Sequence, residues 1–287
     1  DKPMKFNMNS VIALKNQHFG NRLRALSKGS FMSVTSMSTV RELAVTWPGA
    51  TRVFEKIGID YCCGGGRTLA DACATFRVPI DLAIESLEEA GKTIASTDQI
   101  NWQGRPLTDL IAHIQNTHHV FTRQELGRLE KLVEKVCLRH GEYHPELFRL
   151  RELFLMLRDD LLPHLMKEEQ VLFPYVVQLE NAIAKGNTVQ PPFFVTVQNP
   201  VRMMMTEHDT VGDLLREMRL VSGKYVPPPE VCISYQTLYQ AMAEFEADLH
   251  QHIHLENNIL FPRAIEMEAG AERSWYGLGA HSNRCAH

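Results

Sequence analysis

The chain has 287 residues, of which 30 are basic and 34 acidic, so its formal net charge is −4 with histidine neutral. This near-neutral balance argues against bulk nucleic-acid binding, and no run of roughly 18 apolar residues indicates a transmembrane helix. Six cysteines are too few for a disulfide scaffold in a chain of this length, whereas 13 histidines, most of them between residues 113 and 254, indicate a metal site. The composition therefore predicts a cytoplasmic globular protein with a metal centre and with no nucleic-acid or membrane partner.

The first part of the chain divides into an extension, a small helical domain and a linker. Residues 1–36 carry six lysines and arginines against one acid, without the apolar core of a secretory signal and without a starting Met. We predict a disordered extension there, with an organellar address as the alternative. Over 37–93, apolar residues recur three and four positions apart, which predicts three or four short helices. The polar stretch 94–103 is predicted to be a linker.

Four long amphipathic patterns follow over 104–269 and predict a helix bundle. A loop rich in Gly, Asn and Pro at 186–199 separates the second helix from the third, and Asn199-Pro200 has the composition of a helix start. We place the helices at about 106–138, 145–185, 200–222 and 227–269. Residues 270–287 are predicted to be a C-terminal tail. Only 193–197 has strand-like composition, and it is short, so the predicted fold class is all-α: a small N-terminal helical domain followed by a four-helix bundle.

A duplicated pattern lies in the second and fourth predicted helices. Residues 164–174 read H-x-x-x-E-x-x-x-L-F-P, and residues 252–262 repeat this pattern 88 positions later. Another histidine precedes each copy in the preceding helix: His119 lies 45 residues before the first copy, and His208 lies 44 residues before the second. The bundle is therefore predicted to consist of two helical hairpins of similar plan.

The four-residue spacing places a histidine and a glutamate on one helix face, about 6 Å apart along the axis. One such pair alone would be an ordinary polar pair on a solvated face, or a satisfied core histidine. Two copies in the same apolar context favour a dinuclear metal site inside the bundle, because metal cations offset the cost of burying carboxylates. The predicted ligands are His119, His164, Glu168, His208, His252 and Glu256.

The ligand types indicate which metal binds. If Glu168 and Glu256 bridge, each cation receives two imidazole nitrogens and two carboxylate oxygens, and an oxo or hydroxo group would be the fifth ligand. Such a site leaves room for a small exogenous molecule. Mixed nitrogen and oxygen ligation suits iron first and manganese second, whereas zinc prefers closed four-coordinate sites. The predicted cofactor is two oxo- or hydroxo-bridged non-haem iron ions. His140 is a further ligand only if the first helix breaks or folds back.

The segment 59–69, with its Tyr-Cys-Cys-Gly-Gly, followed by a bundle with both His-x-x-x-Glu motifs, resembles the repair of iron centres (RIC) family. These are iron–sulfur cluster repair di-iron proteins with a hemerythrin-like bundle. The resemblance covers about 39–268. It implies a di-iron site, at the six residues named above, that helps to restore iron–sulfur clusters damaged by oxidative or nitrosative stress in the bacterial cytoplasm. Damaged iron–sulfur proteins and small gases such as nitric oxide would be the partners.

The cysteines fall into two groups. Adjacent α-carbons lie about 3.8 Å apart, below the usual range of about 4.4–6.8 Å for disulfides, so a Cys62–Cys63 bridge would be strained and readily reduced. Three glycines follow and leave the thiols accessible. The pair is either two unremarkable cysteines in a turn or a thiol site that docks a partner, handles nitric oxide or passes iron. Cys73, Cys137 and Cys232 occupy apolar helical positions and are predicted to be core residues.

Three functions fit these residues. The leading hypothesis is a di-iron protein that repairs clusters by supplying iron. The second is an enzyme that reduces nitric oxide to nitrous oxide at the open positions of the centre. The third is a gas or iron sensor in which metal occupancy changes the contacts of the Cys62-Cys63 domain. The first two require the same ligands, so both stay open at this point, as does a homodimer.

Overall fold

In this computed structural model, the described residues are 34–47, 49–93, 101–190 and 192–279. The predicted extension as far as residue 33, residues 94–100 of the predicted linker and residues 280–287 of the predicted tail lie outside them. The described residues from Ser36 onward belong to one compact unit. All regular elements in this part of the chain are helices, which confirms the all-α prediction. No helix in it is long and apolar enough to cross a membrane.

Four short helices precede the bundle. They are α1 (Val40–Thr46), α2 (Ala50–Ile57), α3 (Leu69–Phe76) and α4 (Ile80–Thr93). Thr39 caps α1 and Thr68 caps α3, because each hydroxyl oxygen accepts a hydrogen bond from an N–H in the first turn of its helix. An isolated β-bridge joins the two threonines, so the starts of α1 and α3 lie side by side. The Trp47 indole fastens α1 to α4 by donating to the Leu87 carbonyl at 2.7 Å.

The bundle has four long helices, and three of them change from α to π winding and back. The α-helical parts are α5 (Leu107–His113), α6 (Val120–His140), α7 (Glu146–Lys167), α8 (Phe173–Ala184), α9 (Gln198–Val221), α10 (Ile233–Leu255) and α11 (Phe261–Gly279). The π-helical segments that join α5 to α6, α7 to α8 and α10 to α11 are Ile114–His119, Glu168–Leu172 and Glu256–Leu260. We call 107–184 the first hairpin and 198–279 the second hairpin.

Some helix ends differ from the predicted ones. The third bundle helix begins at Gln198 rather than at Pro200, because the buried Glu268 carboxylate accepts the N–H of Val197 at 3.0 Å and takes the place of a side-chain cap. The fourth begins only at Ile233, beyond the three prolines, and continues to Gly279 instead of ending near residue 269. The strand-like stretch 193–197 forms turns.

The bundle core consists of two apolar clusters with a polar layer between them. One cluster contains Leu126, Leu157 and Val211 together with much of α10, and the other contains Ile114 and Leu260 with much of α5 and α8. The first bundle helix packs against the second and the fourth, and the second also packs against the third. The six predicted metal ligands lie at the level between the two clusters, where all of them are buried.

Candidate metal centre

Each motif proline follows a π-wound turn that begins at the motif glutamate. A proline inside a helix lacks an N–H, and its ring clashes with the carbonyl four residues earlier, which for Pro174 and Pro262 falls in the preceding segment. The chain there is π-wound: the N–H groups of Phe173 and Phe261 donate to carbonyls five residues back, those of the motif glutamates. Such winding is frequent at functional sites, and the chain continues as an α-helix beyond each of the two turns.

The four predicted histidine ligands meet in two pairs, with their Nε2 atoms turned toward each other. His119 and His252 have Nε2 atoms 3.1 Å apart, and we call this pair the first half-site. His164 and His208 have Nε2 atoms 3.0 Å apart, and we call this pair the second half-site. Each half-site thus takes one histidine from each hairpin, so neither hairpin forms a half-site alone.

Both motif glutamates reach both half-sites. Glu168 has Oε2 3.5 Å from Nε2 of His119 in the first half-site and Oε1 3.3 Å from Nε2 of His164 in the second. Glu256 has Oε1 3.0 Å from Nε2 of His252 in the first and Oε2 3.3 Å from Nε2 of His208 in the second. One oxygen of each carboxylate therefore faces each half-site, which is the arrangement of a bridging ligand.

The donor set fits metal cations. The Nδ1–H groups of His119 and His164 donate to carboxylates, and that of His208 donates to an amide oxygen, so their Nε2 lone pairs point inward. Both oxygens of Glu168 and Oε2 of Glu256 are fully buried and have no hydrogen-bond partner among the described residues. A buried carboxylate without partners costs several kcal/mol, on the order of 3 or more. Cations between the lone pairs remove this cost, and the nitrogen and oxygen donors suit iron.

Carboxylates outside the cluster hold two of the histidines in orientation. Glu169 accepts from Nδ1 of His119 at 2.7 Å and from Arg123 at 2.8 Å. Glu207 accepts from Nδ1 of His164 at 2.7 Å and pairs with Lys167. The hydrogen bond from His164, with further help from the lysine, holds the pKa of Glu207 at about 2, although burial opposes this. Glu207 is therefore an anion at neutral pH, which raises the basicity of the imidazole it contacts.

The sequence prediction did not include these orienting residues. Glu169 and Asn257 each follow a motif glutamate directly, and each bonds Nδ1 of the upstream histidine of its own hairpin, at 2.7 and 2.9 Å. The signal in the sequence is the polar residue after the glutamate of each copy. It is visible only once the two copies are compared position by position.

The other histidines and cysteines lie as follows. The structure does not bring His140 to the cluster: its Nε2 lies 2.9 Å from the Cys232 sulfur. The core prediction is confirmed for Cys73 and Cys137 but is wrong for Cys232, which is exposed. Cys232 is the residue before α10 begins, so it precedes the buried face of that helix. His118 is buried and bonds Asp248 at 2.9 Å.

The Cys62-Cys63 loop contacts the metal centre through the second hairpin. Asn257, whose Oδ1 bonds His208, also donates from Nδ2 to the Cys62 carbonyl at 3.2 Å. The Cys63 thiol lies 3.5 Å from the backbone carbonyl of His208. Both thiols are free, and the hydrogen bond between them, together with burial, raises the pKa of the Cys62 thiol. The cysteine pair is therefore adjacent to the second half-site.

Comparison with known proteins identifies the class of protein that has this arrangement. A family model described as the hemerythrin HHE cation-binding domain matches residues 110–264, and a model of a domain of unknown function, DUF542, matches residues 36–91. The fold and the buried histidine–glutamate cluster thus define an iron-binding hemerythrin-like bundle preceded by a small helical region.

Curated relatives identify the family within this class. The iron–sulfur cluster repair protein YtfE of Escherichia coli O81 (strain ED1a), its counterpart in E. coli O1:K1 / APEC and that of Escherichia fergusonii are each 36% identical to this chain over 227 residues, which is 79% of this chain and 96% of theirs. The chain belongs to the family of iron–sulfur cluster repair proteins, and the predicted resemblance is confirmed.

Proposed function

We propose that the cluster holds two iron ions and that the protein repairs iron–sulfur clusters damaged by oxidative or nitrosative stress by supplying iron. The observation that carries this proposal is the sharing of both carboxylates, since Glu168 and Glu256 each turn one oxygen toward each half-site. Relatives that match most of this chain are named iron–sulfur cluster repair proteins. When bound, iron supplies the redox chemistry of the centre and is also the material that is transferred.

The ligand set supports release as well as binding. It contains imidazoles and carboxylates and no thiolate, so no ligand binds ferrous iron through a soft sulfur donor. Because Glu168 and Glu256 serve both half-sites, movement or protonation of either carboxylate weakens the hold on both ions at once. Full burial of Glu168, Glu256 and His119 keeps bulk water from the ligands until the helices or the adjoining loop move.

The test is restoration of an iron–sulfur enzyme whose cluster has been disassembled by nitric oxide. Iron-loaded protein is expected to restore the enzyme's activity, whereas the Glu168→Leu/Glu256→Leu double variant restores no more than the same amount of free ferrous iron. The matched control is Glu152→Leu/Glu244→Leu, which changes two exposed glutamates on bundle helices and keeps full repair activity. Equal repair by the Glu168→Leu/Glu256→Leu variant would exclude iron supply from this centre.

A second candidate function uses the same centre to reduce nitric oxide. It is favoured by the adjacency of two half-sites that share their carboxylates, since two nitric oxide molecules can then bind side by side. Two molecules of nitric oxide, two electrons and two protons give one nitrous oxide and one water. Nitrous oxide formation that continues for many cycles with excess reductant would support this enzyme activity, whereas a single stoichiometric release would favour repair alone.

A further inference from the structure

A cavity of about 430 Å³ lies between α2, the loop that follows it and the helices α9 and α10. The thiols of Cys62 and Cys63 line this cavity, together with Asp60. Four basic side chains, Lys56, Arg216, Arg219 and Lys224, also line it, together with the acidic Glu55 and Glu246, of which Glu246 pairs with Arg219. The cavity is thus lined by two sulfurs and a carboxylate, with more basic than acidic side chains around them, on the outer side of the loop that contacts the metal centre.

The spacing of the three side chains is that of ligands to a single cation. The two sulfurs lie 3.8 Å apart, and Oδ1 of Asp60 lies 3.3 Å from the Cys62 sulfur. Ligand atoms from all three residues fit within 4.8 Å of one another. Two sulfurs bound at about 2.3 Å to a tetrahedral cation are also roughly 3.8 Å apart. No rearrangement of the thiols is therefore needed to bind a metal ion.

The loop is fixed in this geometry from two sides. Oδ1 of Asp60 accepts the backbone N–H groups of Cys62 and Cys63 at 3.1 and 2.9 Å. On the bundle side, Asn257 and Asn258 donate to the carbonyls of Cys62 and Tyr61, respectively. Because the backbone is held at several points, the ligand atoms are preorganised, which reduces the entropy lost on metal binding.

We propose that Asp60, Cys62 and Cys63 form a second metal site, which binds one thiophilic divalent cation separately from the histidine–glutamate cluster. Two thiolates and one carboxylate around a divalent cation leave one negative charge, which the nearby Lys56 and Lys224 offset. Three protein ligands leave a coordination position open, so the ion is exchangeable and accessible to a ligand that enters the cavity. The contact between Cys63 and the backbone of His208 places this site beside the second half-site.

The test uses cobalt(II) as the probe, because its thiolate complexes show a charge-transfer absorption that nitrogen and oxygen ligands do not produce. The full chain carries Cys232→Ser and Cys285→Ser, so that neither the exposed thiol nor the one near the C terminus contributes. Cobalt(II) is added to the reduced protein without oxygen. The band is expected to reach the intensity of one site with two thiolates per chain, while the histidine–glutamate cluster binds up to about two further equivalents without contributing to the band.

Three variants separate this site from the bundle centre. Cys63→Ser is expected to abolish the band. Asp60→Asn, which keeps an oxygen for the two backbone N–H groups, is expected to weaken cobalt binding by about tenfold or more. Glu168→Gln/Glu256→Gln is expected to leave the band unchanged, so that failure of the proposed iron centre does not affect the result.

Two results would overturn the proposal. One is the absence of a thiolate band in a large excess of cobalt, with circular dichroism showing a folded helical protein. The other is a band that survives in the Cys62→Ser/Cys63→Ser variant, which would assign it to other sulfurs.

Discussion

The two hairpins contribute the same kinds of candidate ligand but orient them with different neighbours. After each motif glutamate comes the residue that bonds Nδ1 of the upstream histidine: Glu169 for His119 and Asn257 for His208. A carboxylate at this position makes the imidazole more basic, whereas an amide does so less. The amide of Asn257 also has an NH2 group, and this group donates a hydrogen bond to the carbonyl of Cys62. The first hairpin therefore increases the basicity of His119, whereas the second connects His208 to the cysteine loop.

At the residue before each upstream histidine, the difference between the hairpins is reversed, because here the second hairpin has the carboxylate. Glu207, before His208, accepts from Nδ1 of His164 in the other hairpin. His118, before His119, stacks on His252 with ring centres 5.6 Å apart, and Nδ1 of His252 has no hydrogen-bond partner among the described residues. Each half-site thus has one carboxylate-bonded histidine, but only the second is connected to the cysteines. The duplication sets the residue types of the cluster, and the flanking residues make the half-sites unequal.

The largest expected effect comes from removing a ligand that serves both half-sites. Glu168→Leu should lower the iron content from about two ions per chain to well below one, because both half-sites lose an oxygen ligand. His208→Ala should leave about one ion, bound in the first half-site. Metal analysis after desalting distinguishes the two outcomes. Equal losses in both variants would contradict the assignment of separate half-sites with shared carboxylates.

A smaller effect is expected from the neighbours that differ between the hairpins. Glu169→Gln should weaken iron binding in the first half-site by about 10- to 100-fold, because His119 loses its carboxylate partner. Asn257→Ala should weaken the second half-site and also change the rate at which a thiol reagent modifies Cys63. Competition with a chelator measures the first effect, and the labelling rate measures the second.

The control for this pair is the labelling rate in Glu169→Gln, which should equal that of the unmodified chain. A change in Cys63 labelling in Glu169→Gln would show that the loop responds to metal affinity in general. The change in Cys63 labelling in Asn257→Ala would then not be specific to the hydrogen bond between Asn257 and the loop.

The smallest effect concerns the packing of the cysteine loop on the second hairpin. A methyl group at Gly65 would come within 2.8 Å of Oδ1 of Asn258 and 3.2 Å of Cβ of Arg41, whereas one at Gly66 would meet nothing within 4 Å. Gly65→Ala should therefore lower the free energy of unfolding by about 1 kcal/mol, and Gly66→Ala should leave it nearly unchanged. Denaturant titration measures both. Equal stability of the two variants would argue against close packing at Gly65.

Local spacing made the residues of the buried histidine–glutamate cluster predictable. A histidine and a glutamate four positions apart share a helix face in any tertiary structure. The second copy of the motif favoured a common site over a chance polar pair. The bundle helices were predictable for the same reason. How the histidines pair across the hairpins depends on how the four helices meet, and single-helix periodicity carries no such information. The orienting contact of Glu207 with His164 joins two helices and is not encoded in local spacing either.

The features that the sequence did not predict depend on contacts or boundaries that apolar spacing does not define. The start of α9 depends on Glu268, which lies in the last helix. The exposure of Cys232 follows from a helix that begins one residue later, and apolar spacing gives helix boundaries poorly. The role of Asn257 was hidden because it acts on a histidine 49 positions away and on a cysteine 195 positions away.

The π-helical segments at the two glutamates limit which length changes the chain can tolerate. A π turn contains one residue more than an α turn, so deleting one residue from Glu168–Leu172 or Glu256–Leu260 would restore regular winding. The residues beyond would keep nearly the same direction around the helix axis, because the lost residue and the lost π turn cancel, so Phe173 or Phe261 would stay in the core. Loss of one residue after the glutamate is therefore expected to be tolerated in these two segments, whereas loss of one residue in the α-helical parts would turn the residues beyond it by about 100° away from their packing partners.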